Sequence, residues 1–305
     1  MNEKTVAIIG LGALGVLYGQ HLSEALGKNR VRVVVNQERK RRYEREGVTL
    51  NGIPCDFNYV LESEKSTPAD LIIVCTKSLA LDSALNSMKN QVGDESTILS
   101  LINGISSEGI LGREFGYEKV IPTVAIGMDA TRDGQNVRSK VKGWLQIGVD
   151  RSDKQKRLEA VKSIFDEAQF PYAVEEDITL KIWEKFMMNV GVNQVVMVNQ
   201  SNFGGVQTGG EYHDQAKSAM EEVVMIAQAE RIKLENEHIQ KAFDIIDTVD
   251  SDGMPSMRQD GLAKRLSEVE LFSGTILKKA EKYGLDCPVN RYLYEEVQKI
   301  EAEYS

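Results

Sequence analysis

A polar stripe inside an apolar stretch is the first feature of this sequence that could perform chemistry. Lys185, Asn189 and Asn193 recur every four residues, in a helical pattern otherwise rich in phenylalanine, methionine and valine. In an α-helix a four-residue step turns by about 400° and rises by about 6 Å, so the three polar groups share one face. A lysine there could protonate a small molecule that the carboxamides hold. An amphipathic helix with ordinary exposed polar residues is the alternative interpretation.

A glycine-rich loop near the N-terminus predicts a binding site for a dinucleotide. The apolar run Val6–Ile9, typical of a buried parallel strand, leads into Gly10, Leu11, Gly12, Ala13, Leu14 and Gly15. A helical stretch and a second β-rich run, 31–35, follow. In this strand–loop–helix–strand context, the glycines of G-x-G-x-x-G let backbone N–H groups approach a pyrophosphate at a helix N-terminus.

The end of the second strand bears on the choice between NADP and NAD. An acidic residue about 20 positions past the glycines would bind the ribose 2′-hydroxyl of NAD. Asn36 and Gln37 occupy that position instead, and they are followed by the basic residues Arg39, Lys40, Arg41 and Arg42. A neutral strand end beside a basic cluster suits a 2′-phosphate, so NADPH is the expected cofactor. NADH stays an alternative, because Glu38 lies close by and such clusters are often only solvated.

Two further apolar runs place polar residues where strands end. The run 70–75 leads to Thr76-Lys77, and the run 96–102 leads to Asn103-Gly104. In an open parallel sheet, ligands bind outside the carboxyl ends of the strands. We therefore expect Lys77 and Asn103 at the same edge of the sheet as the glycine loop. A surface lysine and a helix-capping asparagine are the alternatives for these two positions.

The order of the elements predicts an α/β Rossmann domain followed by an all-α domain. Strand and helix patterns alternate through residues 1–175, and residues 176–305 show only helical periodicity. Helices are predicted at 178–199, 212–232, 236–249, 257–283 and 289–302. Earlier in the chain, Asn51-Gly52 between β-type residues predicts a hairpin within 47–59.

Two polar residues of the helical half have ordinary structural interpretations when they are considered alone. Ser256, followed three residues later by Gln259, fits a helix capping box. Glu268 follows Lys264 and Arg265 at a spacing that suits a surface ion pair.

Composition excludes several classes of protein and of site. The 305 residues are 42% hydrophobic and 27% charged, with a net charge of −9, which argues against nucleic-acid binding. No apolar run approaches a membrane span and no signal peptide is recognisable, so a cytoplasmic protein without a membrane partner is expected. Three widely spaced cysteines and three histidines without ligand spacing predict neither a disulfide framework nor a metal site.

Taken together, the motifs resemble the ketopantoate reductase family (2-dehydropantoate 2-reductases) over nearly the whole chain. The glycine loop is shared with many Rossmann proteins, whereas Lys77 and Asn103-Gly104 are more specific. Trp183-x-Lys185-x3-Asn189-x3-Asn193 is also specific, and the most specific match is Ser256-Met257-x-Gln259-Asp260 with Glu268 twelve residues after the serine. The resemblance implies a helical domain of the 6-phosphogluconate dehydrogenase type after the Rossmann domain, with the active site between them.

The resemblance also implies roles for the matching residues. Lys185 would protonate the ketone oxygen as hydride arrives from NADPH, and Glu268 would contact the cofactor ribose or Lys185. Asn189, Asn193 and Ser256 would bind the substrate, with Asn103 near both substrate and nicotinamide and Ala130 beside the nicotinamide. A carboxylate opposite Lys185 has a physical purpose, since burial alone would deprotonate the lysine.

Departures from the family pattern keep other functions open. Asn36 stands where the family often has arginine, and Phe203 stands ten residues after Asn193, where a polar substrate-binding residue is expected. The glycine-rich segment 203–210 could also reshape the pocket. Reduction of ketopantoate to (R)-pantoate, toward pantothenate and coenzyme A, is the leading hypothesis. A reductase of another small 2-keto acid and a non-catalytic dinucleotide-sensing protein are the alternatives, with a homodimer as one candidate assembly.

Overall fold

The computed structural model describes residues 3–304, which form two compact units, one ending at Ile178 and one beginning at Thr179. The strands of the first unit are β1 (Val6–Ile9), β2 (Val31–Val35), β3 (Thr49–Leu50), β4 (Ile53–Pro54), β5 (Asn58–Leu61), β6 (Leu71–Val74), β7 (Thr97–Ser100), β8 (Thr123–Ile126), β9 (Thr131–Asp133), β10 (Asn136–Arg138), β11 (Trp144–Ile147) and β12 (Tyr172–Val174). Its helices are α1 (Ala13–Leu26), α2 (Gln37–Glu46), α3 (Leu81–Met88), α4 (Ser107–Phe115) and α5 (Gln155–Glu167).

A five-stranded parallel sheet forms the centre of the first unit. Its strand order is β5-β2-β1-β6-β7. The chain adds β2 and β5 on one side of β1 and then β6 and β7 on the other, so the order of strand addition switches sides between β1 and β6. The apolar side chains of β1, β6 and β7 are buried because helices cover both faces of such a sheet. In this topology ligands bind at the carboxyl edge, at the point where the strand order reverses.

Two smaller sheets complete the first unit, with strand orders β4-β3-β10-β9 and β12-β11-β8. Asn51 and Gly52 both have positive φ, at 53° and 81°, and join β3 to β4 as an antiparallel pair. The predicted hairpin is therefore confirmed. The sequence did not predict β5 as a separate strand. β5 begins within the region predicted as a hairpin, and it pairs in parallel with β2 at the edge of the main sheet.

The second unit is helical. Its elements are α6 (Ile178–Val198), α7 (His213–Ala229), α8 (Asn236–Ile246), α9 (Ser256–Leu262), α10 (Ser273–Tyr283) and α11 (Pro288–Ala302), with α6 starting one residue before the unit boundary. The predicted helix over 257–283 is wrong, because residues 263–272 form a non-helical connection between α9 and α10. Lys264 adopts φ 49° there, and the Arg265 N–H donates back to the Asp260 carbonyl at 2.9 Å, which ends α9.

Among the helices of residues 3–304, none is long and apolar enough to cross a membrane. The same residues contain no cluster of three or more histidine, cysteine, aspartate or glutamate side chains that could hold a metal ion.

Candidate active site

The glycine loop after β1 has no room for a side chain at Gly10 or at Gly15. Gly10 has φ 89°, and a Cβ there would lie 2.5 Å from Cγ2 of Thr76. A Cβ on Gly15 would lie 2.1 Å from the carbonyl oxygen of Gly10. Both glycines are therefore required for the close approach of the loop, β6 and α1.

The positive end of the helix dipole at the N-terminus of α1 is not neutralised by a local side chain. Gly12 is the N-cap and offers no side chain to the first turn, which also contains no acidic residue. The unpaired N–H groups of a helix start favour an anion such as pyrophosphate. The six residues from Gly10 to Gly15 thus have the local geometry that a dinucleotide phosphate site needs.

Three other predicted cofactor or substrate residues of the first unit lie beyond the carboxyl ends of strands. Lys77 is exposed and follows β6, beyond Cys75, whose N–H donates to the Ile9 carbonyl at 2.7 Å. Asn103 lies three residues after β7 and is partly buried. Ala130, between β8 and β9, packs against the same apolar core as Leu14 of the glycine loop. Each is therefore on a segment that leaves a strand, as the sequence positions of Lys77 and Asn103 implied.

Asn36, at the end of β2, has a clear structural role. Its side-chain oxygen accepts a hydrogen bond from the Arg39 N–H at 2.8 Å and so caps α2. Arg39 and Arg41 are exposed and form no salt bridge with any residue in 3–304. The capping requirement explains a short polar residue at position 36. The exposed guanidinium groups of Arg39 and Arg41 are available to an anion.

The polar stripe of α6 lies between strongly buried positions. Phe186, Met187 and Val190 are at most 1% exposed, whereas Lys185 and Asn189 are partly buried and Asn193 is 7% exposed. Within residues 3–304, the carboxamides of Asn189 and Asn193 have no hydrogen-bond partner. A carboxamide without a protein partner can offer its N–H donors and its oxygen acceptor to a ligand, so these two groups are suited to binding a polar molecule.

The ammonium group of Lys185 is strongly affected by its surroundings. Burial lowers its pKa from 10.5 to about 8, and the nearby carboxylate of Glu268 acts in the opposite direction. Glu268 lies in the 263–272 connection, whose fold the sequence did not predict. The second unit therefore brings together a lysine with a pKa near neutrality, a carboxylate and two carboxamides.

Ser256 is the first residue of α9, and the predicted capping box is wrong. The N-cap is Pro255, and the side chain of Gln259 donates to the Met254 carbonyl at 2.9 Å instead of completing a box. The Ser256 side chain is exposed and does not cap the helix. Its hydroxyl is thus not required for capping.

Sequence reasoning did not anticipate how the segment 203–210 is held. The Phe203 N–H donates to the Gly253 carbonyl at 3.0 Å, and the Gly204 N–H donates to the Ser251 carbonyl at 2.9 Å. A Cβ on Gly253 would lie 3.1 Å from Cδ2 of Phe203, so the aromatic ring packs directly on this glycine. The segment therefore packs against the loop that leads into Ser256, which no local sequence signal indicated.

Comparison with known proteins identifies the family. The model of the family described as ketopantoate reductase PanE/ApbA matches residues 6–151, and the model of its C-terminal domain matches residues 177–301. The chain belongs to the ketopantoate reductase family. Its members are oxidoreductases, and the resemblance and the fold class predicted from the sequence are confirmed.

Relatives from bacteria and archaea match almost end to end at low identity. The 2-dehydropantoate 2-reductase of Streptococcus pyogenes serotype M3 is 24% identical over 302 residues, covering 97% of this chain and 98% of that protein. The protein of the same name from Archaeoglobus fulgidus is 25% identical over 304 residues, covering 99% of each chain.

Solved structures show the same two-part fold. A D-mandelate dehydrogenase with NADH and anilino(oxo)acetate superimposes with a TM-score of 0.88 at 23% identity, covering 98% of this chain and 99% of that one. A PanE/ApbA family ketopantoate reductase from Ralstonia eutropha gives a TM-score of 0.81 at 26% identity, with coverage of 98% and 99%. The fold is thus shared by proteins whose names refer to different 2-keto or 2-hydroxy acids.

Proposed function

We propose that this protein reduces 2-dehydropantoate to (R)-pantoate with NADPH, a step toward pantothenate and coenzyme A. The observation that supports this most directly is the face of α6, where a lysine of lowered pKa adjoins two carboxamides that accept and donate no hydrogen bond among the described residues 3–304. Membership of the ketopantoate reductase family supports the reaction class.

Lys185 would act as the general acid. When bound, the nicotinamide supplies the hydride, which is added to the carbonyl carbon of the substrate while NADPH is oxidised to NADP⁺. Negative charge develops on the carbonyl oxygen, and the Lys185 ammonium stabilises it and donates a proton from Nζ. A pKa of about 8 keeps the lysine mostly protonated at neutral pH, yet makes it a far better acid than an exposed lysine.

Glu268 and the polar side chains would prepare the site for this proton transfer. Glu268 offsets part of the cost of burying the ammonium, because its charge raises the pKa of Lys185. The amide N–H groups of Asn189 and Asn193 and the hydroxyl of Ser256 would hold the carboxylate and hydroxyl of the substrate. Asn103, in the first unit, would contact both the substrate and the nicotinamide.

All the proposed cofactor contacts except Glu268 belong to the first unit. The backbone of Gly10 to Gly15 would bind the pyrophosphate, and Ala130 would line the nicotinamide, with Lys77 and Glu268 as further contacts. The exposed guanidinium groups of Arg39 and Arg41 support a 2′-phosphate, and thus NADPH over NADH. The structure of the D-mandelate dehydrogenase of similar fold contains NADH, which makes NADH the alternative cofactor.

A second candidate substrate is a 2-keto acid with an apolar side chain. The observation that favours it is Phe203, whose ring packs on Gly253 in the loop before Ser256. An aromatic ring packed on the loop that leads into Ser256, the proposed substrate residue, would favour an apolar group over the hydroxyl of ketopantoate. The similarity to D-mandelate dehydrogenase agrees with this candidate.

One assay separates these proposals. Oxidation of NADPH and of NADH is followed with 2-dehydropantoate, 2-ketoisovalerate and phenylglyoxylate under identical conditions. We expect the highest kcat/KM with NADPH and 2-dehydropantoate. A higher kcat/KM with phenylglyoxylate would establish the second candidate, and the absence of turnover with every 2-keto acid would refute reduction altogether.

A further inference from the structure

The connection that carries Glu268 is irregular but tightly hydrogen-bonded. The Glu268 carbonyl accepts from the N–H groups of Leu271 and Phe272, at 2.9 and 3.2 Å. One residue before Glu268, the buried Ser267 donates its N–H to Oε1 of Glu301 on α11 at 2.7 Å. The backbone around Glu268 is thus fixed both locally and to a distant helix.

A second attachment leads directly to the helix that carries Lys185. Gln194 follows Asn193 in α6 and is fully buried. Its side-chain oxygen accepts from the N–H of Ser273, the first residue of α10, at 3.1 Å, while its amide nitrogen donates to the Val190 carbonyl at 2.8 Å. A single glutamine therefore connects the helix of the proposed acid to the residue five positions after Glu268.

Further buried polar groups support Ser273. Its hydroxyl donates to Oδ1 of Asn290 at 2.8 Å, and the Asn290 amide nitrogen donates to Oε2 of Glu222 at 2.7 Å. Glu222, on α7, also accepts from the N–H groups of Val289 and Asn290 at 2.8 Å each, so its charge lies at the N-terminus of α11. A buried network with partners of this kind holds its members in one arrangement.

We propose that Gln194 is a positioning residue that holds Glu268 close to Lys185, with Glu301 as the second anchor of the same connection. The inference rests on the proposed role of Lys185 as general acid. Neither anchor is expected to contact substrate or cofactor. The two anchors act by fixing the distance between the charges of Lys185 and Glu268. In a partly buried setting, a change of one or two ångströms in this distance substantially alters the attraction between the charges.

Replacing the glutamine by an apolar residue of similar length tests the proposal. Gln194→Met removes the acceptor of the Ser273 N–H, so Glu268 should move away and the pKa of Lys185 should fall. At an effective dielectric constant of about 20, an increase of about 2 Å in the separation of two close charges lowers this pKa by about one pH unit. The reduction rate should then drop about tenfold at pH 9 but only about twofold at pH 7.

The titration of Lys185 can be measured without relying on turnover. NMR of protein labelled with ¹³C at lysine gives its midpoint, with the signal assigned by its absence in Lys185→Met. A downward shift in Gln194→Met, and none in the exposed-site control Gln228→Met on α7, would support the inference. An unchanged Lys185 midpoint in folded Gln194→Met would overturn it, whereas a wild-type protein without any turnover would overturn the proposed function instead.

The second anchor provides a test if Gln194→Met does not fold. Glu301→Gln retains an acceptor oxygen for the Ser267 N–H, whereas Glu301→Leu does not. We expect Glu301→Leu to lower the Lys185 midpoint and to accelerate hydrogen exchange in 263–272, with Glu301→Gln close to wild type. Equal midpoints in all three proteins would refute the positioning role.

Discussion

Replacing the proposed acid should stabilise the protein while it abolishes reduction. The pKa of Lys185 is about 8 in the folded protein, against 10.5 for an ordinary lysine, so folding lowers this pKa by about 2.5. At 1.36 kcal/mol per unit this corresponds to about 3 kcal/mol, less some screening because Lys185 is only partly buried. Lys185→Met has similar length and no charge, so we expect its free energy of unfolding to be about 1–3 kcal/mol higher at pH 7.

The sign of this effect depends on pH. Below pH 8 the lysine is protonated in both the folded and unfolded states, and the full cost of the buried ammonium is present. As pH rises from 8 to 10.5 the folded lysine is neutral and the cost disappears, so wild-type and variant stabilities should converge.

Urea unfolding at the two ends of this range measures the effect. The matched control is Lys181→Met, one turn earlier in α6, where the lysine forms a salt bridge with Glu184 at 2.8 Å. That change should cost at most about 1 kcal/mol and should not show the same pH dependence. A Lys185→Met variant less stable than wild type at pH 7, or a gain in stability that persists above pH 10, would exclude a destabilising ammonium at position 185.

Two further predictions concern pH. Reduction needs the Lys185 ammonium, whereas oxidation of the 2-hydroxy acid needs the neutral amine. The kcat of reduction should therefore fall above pH 8 and the kcat of oxidation should rise. Stopped-flow assays in which both rates change in the same direction with pH would contradict this. Burial raises the pKa of Glu108 to about 7, near Ser107, Lys154 and Asp150. Wild-type stability should therefore decline by up to about 3 kcal/mol as pH rises from 4.5 to 7, and urea unfolding of Glu108→Gln should lack that decline.

The sequence was sufficient where local pattern and tertiary structure agree. The apolar run of β1 and the glycines after it produce their fold through steric requirements that act over a few residues, as the 2.1 Å approach at Gly15 illustrates. The stripe Lys185, Asn189 and Asn193 was readable because helical geometry alone places it on one face.

The sequence was insufficient where distant partners override local preference. Residues 263–272 contain good helix formers. Hydrogen bonds to distant residues hold them in a non-helical conformation instead, for example the bond from the Ser267 N–H to the side chain of Glu301, 34 positions away. Gln194 looks like a stray polar residue in an apolar helix, since its partner Ser273 is 79 positions away. The surroundings of Glu268 depend on both contacts, and no periodicity encodes them.

We propose that Lys185 donates the proton during reduction of a 2-keto acid. The most direct test is the turnover of Lys185→Met beside wild type and Lys181→Met, with NADPH and 2-dehydropantoate, while cofactor binding is followed by fluorescence titration. We expect Lys185→Met to lose at least about a hundredfold in kcat with NADPH affinity nearly unchanged, and Lys181→Met to retain turnover. A kcat for Lys185→Met within a factor of about three of wild type would show that Lys185 is not the proton donor.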